Sequence, residues 1–273
     1  GAVVVMEPAT GKILAMVSKP DFDPNTISED WDTLTADTNT DAVLLNRATQ
    51  GLYPPGSTFK ILTTLEYLNE HGTDEDYSYS CNGSFTVGNT TIHCHNNKSH
   101  GTQTLKQAFA NSCNSAYSSM GLDLDITQFA KLCDSLLFNT SLPTKFESSK
   151  SSFVLQSSDG DASIMSTSIG QGKTLVTPFH MALIVSAIAN DGVLMQPYVI
   201  DHTETYEGTV HEQNEPETYK QLISSENATV LQEYMSAVVQ NGTGQKLKGQ
   251  SYEAAGKTGS AEFSSGTNAA HSW

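Results

Sequence analysis

Apolar residues group into two short runs at the start of the chain and into a helical repeat further on. The runs Val3–Met6 and Ile13–Val17 flank a polar turn, which predicts a β-hairpin. After Pro54-Pro55-Gly56, apolar residues from Phe59 to Leu68 recur at spacings that wrap most of a helix. We therefore expect this helix to be buried and to end at Gly72.

Later segments carry the start signals or the periodicity of regular structure. They are helices that begin at Thr104, Asp125 and Thr177-Pro178, a strand around Val193–Ile200 and a helix from about Glu226 to Gln240. The stretch 141–168 is rich in Ser and Asp and weakly periodic, so it is assigned to a loop.

The length, composition and net charge of the chain limit the kinds of protein it can be. Its 273 residues, of which 37% are hydrophobic, suit one domain over 1–273 with a buried core. The 30 acidic and 14 basic residues give a net charge of -16, which argues against a nucleic-acid or anionic-membrane partner. No apolar run reaches about 18 residues, so neither a spanning helix nor a signal peptide is predicted. We expect both ends to be cut from a longer protein.

The four cysteines are Cys81, Cys94, Cys113 and Cys133. Gly88-Asn89 predicts a two-residue hairpin turn that sets Cys94 opposite Gly83, two residues from Cys81. This register leaves free thiols, a disulfide between Cys81 and Cys94, or a metal site open. The nearby histidines are His93, His95 and His100. Because no C-x-x-C spacing supports zinc, no metal ligands are assigned.

Ser57 and Lys60 form the only S-x-x-K in the chain. A serine nucleophile needs a base within hydrogen-bond reach, and i, i+3 spacing on a helix places the amine beside the hydroxyl. Burial disfavours the ammonium form of Lys60, which would let it act as that base. The alternative is a helix-capping serine beside a solvated lysine. The other motifs, present in order, favour the catalytic interpretation.

The pattern S-x-N occurs three times, beginning at Ser80, Ser112 and Ser225. Ser225 is expected to cap a helix, and Ser80 lies beside the cysteine hairpin. Ser112 lies between two helical segments, where its hydroxyl can relay a proton while the Asn114 amide holds a substrate amide. An ordinary polar turn is the alternative interpretation of this segment.

The segment Lys257-Thr258-Gly259-Ser260 occurs once. Its small residues suit a strand edge along which an extended peptide can lie, and Gly259 permits close approach. Lys257 and Thr258 offer a cation and a hydroxyl to a carboxylate. Taken alone, the segment is more typical of a surface turn.

With these three motifs in order, the chain resembles the transpeptidase domain of penicillin-binding proteins, and most of all the class B members. Arg47-Ala48, Gly170-Gln171-Gly172 and Ala189-Asn190-Asp191-Gly192 extend the resemblance to nearly the whole chain. It implies an α/β (α+β) fold, with an antiparallel sheet flanked by helices and an all-helical lobe. Relatives continue beyond the position of Trp273 with more strands and a helix, so the sheet is expected to be incomplete.

The resemblance also implies a role for each matching residue. The roles are Ser57 as acylated nucleophile, Lys60 as its base, Ser112 and Asn114 as the cleft pair, Lys257 and Thr258 as carboxylate holders beside Gly259, and the N–H groups of Ser57 and Ser260 as the oxyanion hole. The implied activity is cross-linking of peptidoglycan stem peptides through a serine acyl-enzyme, which β-lactams also form. No cofactor is implied. The expected location is the outer face of a bacterial cell membrane, with an anchor upstream and wall-synthesis or division proteins as partners.

Three other functions stay open at this point. A D,D-carboxypeptidase differs only in its acceptor. A class A serine β-lactamase needs a deacylating Glu in a Glu-x-x-x-Asn setting, and Glu147, the only Glu in 141–168, is followed by Ser148-Ser149-Lys150-Ser151. Class D enzymes carry Val where this chain has Asn114. A non-catalytic domain of a wall-synthesis complex is disfavoured because the nucleophile and both lysines are intact.

Overall fold

The computed structural model describes residues 1–36, 41–262 and 270–273. The helices are α1 (Ile27–Leu34), α2 (Lys60–His71), α3 (Leu105–Ala110), α4 (Asn114–Asp123), α5 (Ile126–Ser135), α6 (Asp161–Ser168), α7 (Pro178–Ala189) and α8 (Ser225–Asn241). The strands are β1 (Ala2–Met6), β2 (Ile13–Ser18), β3 (Tyr79–Cys81), β4 (Ser84–Val87), β5 (Thr90–His93), β6 (Gly101–Gln103), β7 (Val193–Met195), β8 (His202–Glu204), β9 (Val210–Gln213), β10 (Thr218–Gln221), β11 (Ser260–Glu262) and β12 (Ala270–Ser272). This is the mixed α/β class that the family resemblance implied.

The strands form antiparallel pairs: β1 with β2, β3 with β6, β4 with β5, β7 with β10, β8 with β9, and β11 with β12. Within the described ranges these pairs do not join into one continuous sheet. A parallel bridge between Lys12 and Tyr198 connects the β1–β2 hairpin to the segment after β7. None of the helices in these ranges combines the length and apolar character needed to cross a lipid bilayer.

Most predicted elements lie where the sequence placed them. Helix α2 is buried around its first two turns and ends at Gly72, which has a φ of 71°. Thr104 caps α3 in a capping box with Gln107, and Asp125 caps α5. Strands β4 and β5 pair Val87 with Thr90, as the Gly88-Asn89 turn predicted.

Three sequence assignments were wrong. Residues 161–168 are not loop but form α6, because they pack against α4, and a tertiary contact of that kind leaves no periodic signal in Ser-rich sequence. The strand expected over Val193–Ile200 ends at Met195, before Pro197, which has no N–H to extend the ladder. Ser224, not Ser225, caps α8, since its side chain accepts from Asn227 N.

An aromatic cluster anchors the start of α2. The fully buried Phe59 stacks on Phe153 with ring centroids 5.9 Å apart. Its ring also lies 5.8 Å from that of Phe129 and 6.3 Å from that of Phe138. Phe59 is two residues from Ser57, so burial of this ring fixes the position of the candidate nucleophile.

Two glycines let the backbone before Ser57 pass close to its neighbours. Gly56 has a φ of 53°, and its N–H donates to Gly170 O at 2.9 Å. A Cβ at Gly170 would lie 1.9 Å from Gly56 O, and a Cβ at Gly56 would lie 2.4 Å from Ser260 O. Both positions therefore require glycine, and the second contact brings β11 beside the start of α2.

We predict that Gly170→Ala destabilises the protein more than Gly208→Ala does. Both glycines have a positive φ, 75° and 82°, but a Cβ at Gly208 would meet nothing within 4 Å. Backbone strain alone should cost about 1–3 kcal/mol in either variant, and the clash at Gly170 should add about 1–3 kcal/mol. Thermal or urea unfolding measures both costs, and equal destabilisation would contradict the close approach.

Candidate active site

Ser57 lies in a 3₁₀ turn, Gly56–Phe59, that leads directly into α2. Thr58 Oγ1 donates to Pro55 O at 2.7 Å, which holds the turn closed. The residues around Ser57 in this turn are buried, whereas Ser57 itself is half-buried. The turn therefore presents one hydroxyl to solvent at the amino end of a helix, where backbone N–H groups lack intrahelical partners.

Lys60 is fully buried, and its Nζ has four oxygen neighbours. Ser57 Oγ and Ser112 Oγ each lie 3.2 Å from it. The Ser112 carbonyl oxygen lies at 2.8 Å and Asn114 Oδ1 at 2.7 Å. The S-x-x-K and S-x-N motifs thus meet at one amine. The sequence analysis expected the Asn114 amide to hold a substrate amide, whereas in the structure its Oδ1 contacts Lys60.

The four neighbours can be satisfied by a neutral amine as well as by an ammonium. The Ser112 carbonyl and Asn114 Oδ1 can only accept, and they make the two shorter contacts. A neutral amine donates its two N–H groups to these oxygens and keeps a lone pair for a hydroxyl. An ammonium has three donors for four oxygens and no lone pair. The geometry therefore allows Lys60, in its neutral form, to accept the Ser57 proton.

Both lysines of the site have a lowered pKa. Burial lowers the pKa of Lys60 from 10.5 to about 7, against the opposing influence of Cys113 and Cys94. Burial also lowers the pKa of Lys257, and the nearby Lys60 charge lowers it further. A base whose pKa lies near neutrality is suited to take a proton from serine at physiological pH.

Ser112 lies between α3 and α4 with a φ of 53°, a left-handed conformation that is costly for a residue with a side chain. This conformation turns both its carbonyl and its hydroxyl toward Lys60. The hydroxyl also accepts from Lys257 Nζ at 3.0 Å. Ser112 Oγ therefore bridges the two lysines and is placed to pass a proton between groups in the cleft.

Asn114 is the first residue of α4, and its amide orientation is fixed by two partners. Its Nδ2 donates to the His93 carbonyl oxygen at 2.8 Å, so Oδ1 faces Lys60. His93 ends β5, which means that the β4–β5 hairpin contributes to the site through its backbone.

The K-T-G segment lies in extended backbone just before β11. Gly259 and Trp273 exchange both backbone hydrogen bonds, at 3.0 and 2.9 Å, which continues the β11–β12 pairing. The Thr258 hydroxyl lies 2.6 Å from the Thr243 hydroxyl. Ser260 is the first residue of β11. The segment therefore lies at a strand edge, as expected, with Lys257 reaching to Ser112.

The sequence analysis missed several residues that shape the site. Lys60 Nζ lies 5.4 Å from the centroid of the buried Tyr117 ring, and Lys257 Nζ lies 5.7 Å from that of Phe109. These rings lie beside the two amines at the distance of a cation–π contact. Thr243, whose hydroxyl contacts that of Thr258, carried no motif in the sequence. Helical periodicity marks the rings as core, but it cannot show that a core residue also borders a lysine.

Known proteins resemble this chain over its whole length. The family model of the penicillin-binding protein transpeptidase domain matches residues 1–273. The chain belongs to the penicillin-binding protein transpeptidase family. The D,D-transpeptidase domain of a peptidoglycan glycosyltransferase from Eggerthella lenta superposes with a TM-score of 0.91 at 31% identity, over 100% of this chain and 68% of that one.

Other penicillin-binding proteins show the same similarity. Peptidoglycan D,D-transpeptidase PbpA of Mycolicibacterium smegmatis is 32% identical over 96% of this chain and 55% of its own length. Penicillin-binding protein A of M. tuberculosis, solved as a ceftriaxone acyl-enzyme, has a TM-score of 0.87 at 28% identity, over 97% of this chain and 61% of that one. The chain spans about half the length of the curated relatives it matches.

We predict that the rate of acylation by a labelled penicillin rises with pH through about 7. Lys60 is mostly ammonium below its pKa of about 7 and mostly amine above it, so the competent fraction grows from about a tenth at pH 6 to about nine tenths at pH 8. Lys60→Arg stays charged throughout and should acylate at least about 100-fold more slowly. A flat wild-type profile, or a wild-type rate for Lys60→Arg, would place the base elsewhere.

A second prediction concerns the amide that holds Lys60. Asn114→Ala removes the 2.7 Å contact to Nζ, and we expect acylation to slow by about 10- to 100-fold, the equivalent of one hydrogen bond to an ionisable group. Asn82→Ala is the matched control, because Asn82 belongs to another S-x-N and is exposed. Equal rates for the two variants would show that the contact to Lys60 is dispensable.

Proposed function

We propose that this chain is a serine acyltransferase, a peptidoglycan D,D-transpeptidase that cross-links stem peptides and is inhibited covalently by β-lactams. The observation that carries the proposal is the fully buried Lys60 amine, 3.2 Å from Ser57 Oγ and oriented by two acceptor-only oxygens. A serine so placed beside a base of near-neutral pKa is an activated nucleophile.

In the first half-reaction, Ser57 Oγ attacks the carbonyl carbon of a stem-peptide amide and Lys60 takes its proton. The N–H groups of Ser57 and Ser260 stabilise the oxyanion, which is supported by the close approach of Gly56 to Ser260. The proton then passes to the leaving amine by way of Ser112 Oγ, which contacts both lysines. The C–N bond breaks, and the acyl group stays on Ser57 as an ester.

In the second half-reaction, an amine of another stem peptide attacks this ester. The amine loses a proton to the same group of side chains, and Ser57 Oγ regains one as the ester bond breaks. Lys257 and Thr258 hold a carboxylate, the terminal group of the stem peptide or the acid of a β-lactam. Their place just before β11, beside Ser112 of the site, supports this role.

The relatives support transpeptidation over hydrolysis. The M. smegmatis relative is named a peptidoglycan D,D-transpeptidase, and M. tuberculosis penicillin-binding protein A has been solved as a ceftriaxone acyl-enzyme. Glu147, the only Glu of 141–168, is exposed and lies within hydrogen-bond reach of Gln50 Nε2 at 3.4 Å. Because this Glu contacts Gln50, the loop 141–168 places no Glu at Lys60, and we expect slow hydrolysis of the acyl-enzyme.

The same relatives support a proposed cellular location and a class of partner proteins. One structural neighbour belongs to a peptidoglycan synthase complex that coordinates polymerisation and crosslinking. By analogy, this chain acts on the outer side of the cytoplasmic membrane, alongside other wall-synthesis or division proteins.

We expect penicillin to add its mass once to the wild-type chain and to Ser80→Ala, a serine from another S-x-N, but not to Ser57→Ala. Intact-mass spectrometry and peptide mapping locate the adduct. An adduct on any other residue would overturn the assignment of the nucleophile. Unchanged thermal unfolding of Ser57→Ala would show that the loss of labelling is chemical.

The lifetime of the adduct separates the proposed function from its nearest alternative. Since the loop 141–168 positions no deacylating Glu at Lys60, we expect the label to persist for hours after free penicillin is removed. Loss within seconds, with many equivalents of hydrolysed drug, would make the protein a β-lactamase.

A further inference from the structure

Three thiols and one imidazole meet behind the S-x-N motif. The Sγ atoms of Cys81, Cys94 and Cys113 and a ring nitrogen of His100 all lie within 4.8 Å of one another. The three cysteines are buried and His100 is half-buried. All cysteines of the chain are free thiols in the structure, so the disulfide left open for Cys81 and Cys94 is not formed there.

Three of the six distances between these atoms match those of a tetrahedral metal site, and the other three lie within 4.8 Å. Cys94 Sγ lies 3.7 Å from Cys81 Sγ and 3.7 Å from Cys113 Sγ. Cys81 Sγ lies 3.4 Å from His100 Nδ1. A tetrahedral zinc ion with bonds of about 2.3 Å to sulfur and about 2.0 Å to nitrogen separates two sulfurs by about 3.8 Å and a sulfur from a nitrogen by about 3.5 Å. A disulfide would require about 2.0 Å between two sulfurs and would leave the third thiol and the imidazole outside the bond.

Three chain segments build the cluster. Cys81 ends β3, opposite Gly101 of β6, and this pairing brings His100 beside it. Cys94 follows β5, and its N–H donates to Gly83 O at 2.9 Å, the register that the hairpin turn predicted. Cys113 directly precedes α4. The ligands come from separate elements, and for this reason no short cysteine motif marked them in the sequence.

Polar groups around the sulfurs suit thiolate ligands. Gly83 N–H donates to Cys81 Sγ at 3.4 Å, and the Ser115 hydroxyl lies 3.1 Å from Cys94 Sγ. Such outer contacts orient metal ligands and support their negative charge. Three buried thiolates would be costly without a cation, which a divalent metal supplies.

We propose that Cys81, Cys94, His100 and Cys113 bind one zinc ion as a structural Cys₃His site. Three thiols and one imidazole are the ligand types that zinc prefers, and four protein ligands leave no open position for a catalytic water. Each thiol gives up its proton to water and binds as thiolate. The ion links the end of β3, the residue after β5 and the residue before β6 to the start of α4. Because Cys113 lies between Ser112 and Asn114, it also fixes the segment that holds Lys60.

The first test is metal content. The chain is purified under reducing conditions without chelator, and its zinc is measured by inductively coupled plasma mass spectrometry. We expect about one zinc ion per wild-type chain and loss of zinc in Cys81→Ser and His100→Ala. The matched controls are Cys133→Ser, a buried cysteine outside the cluster, and His95→Ala, an exposed neighbour of Cys94. Retention of zinc in both controls supports the assignment, and loss in either control to the same extent as in the ligand variants overturns it.

A second test does not depend on the folding of any variant. Co²⁺ added to the metal-stripped wild-type chain should give the intense visible bands of tetrahedral cobalt and a thiolate-to-cobalt charge-transfer band, and zinc should displace both. Zinc should also raise the melting temperature of the stripped chain. A chain that binds neither metal, or whose unreduced mass shows a disulfide that persists with zinc present, would overturn the proposal. The metal assignment does not rest on the proposed acyl transfer, since neither test uses Ser57.

Discussion

The burial of the Lys60 amine is the constraint on which the site depends. Lowering its pKa from 10.5 to about 7 corresponds to about 5 kcal/mol in favour of the neutral amine relative to water. A group buried at that cost must be surrounded by oriented partners, and the partners come from three places: the turn that carries Ser57, the strained Ser112 and the first residue of α4. The basicity of Lys60, on which activation of Ser57 depends, therefore follows from the burial of this one side chain in the core.

Backbone contact, more than side-chain contact, sets the position of the nucleophile relative to the strand edge. Gly56 and Gly170 allow two chain segments and β11 to approach at distances that any Cβ would prevent. The buried Phe59 ring then fixes the same turn from the core side. The oxyanion donors proposed above need this rigidity, because preorganised N–H groups stabilise a charge without having to move.

The cysteine cluster lies on the other side of the S-x-N motif from Lys60. Ser112 and Asn114 face the lysine, while Cys113 between them faces Cys94 and the β4–β5 hairpin. The hairpin also supplies the His93 carbonyl that orients the Asn114 amide. The hairpin and the residue that follows it therefore contact the S-x-N segment through a backbone carbonyl and through a thiol.

The sequence by itself determined the local elements and the identity of the three motifs. A capping box at Thr104, Pro178 at a helix start and the Gly88-Asn89 turn act through neighbouring residues, so their consequences can be predicted without the fold. The unique S-x-x-K identified Ser57 and Lys60 because their partnership is a matter of helix geometry.

Only the tertiary structure decided what depends on distant residues. Helix α6 forms by packing on α4, and β7 stops before Pro197, so both differ from the local pattern. The four partners of Lys60, the rings of Tyr117 and Phe109 and the cysteine cluster bring together residues far apart in the chain. Periodicity reports which face of an element is buried, but it carries no information about which other element covers that face.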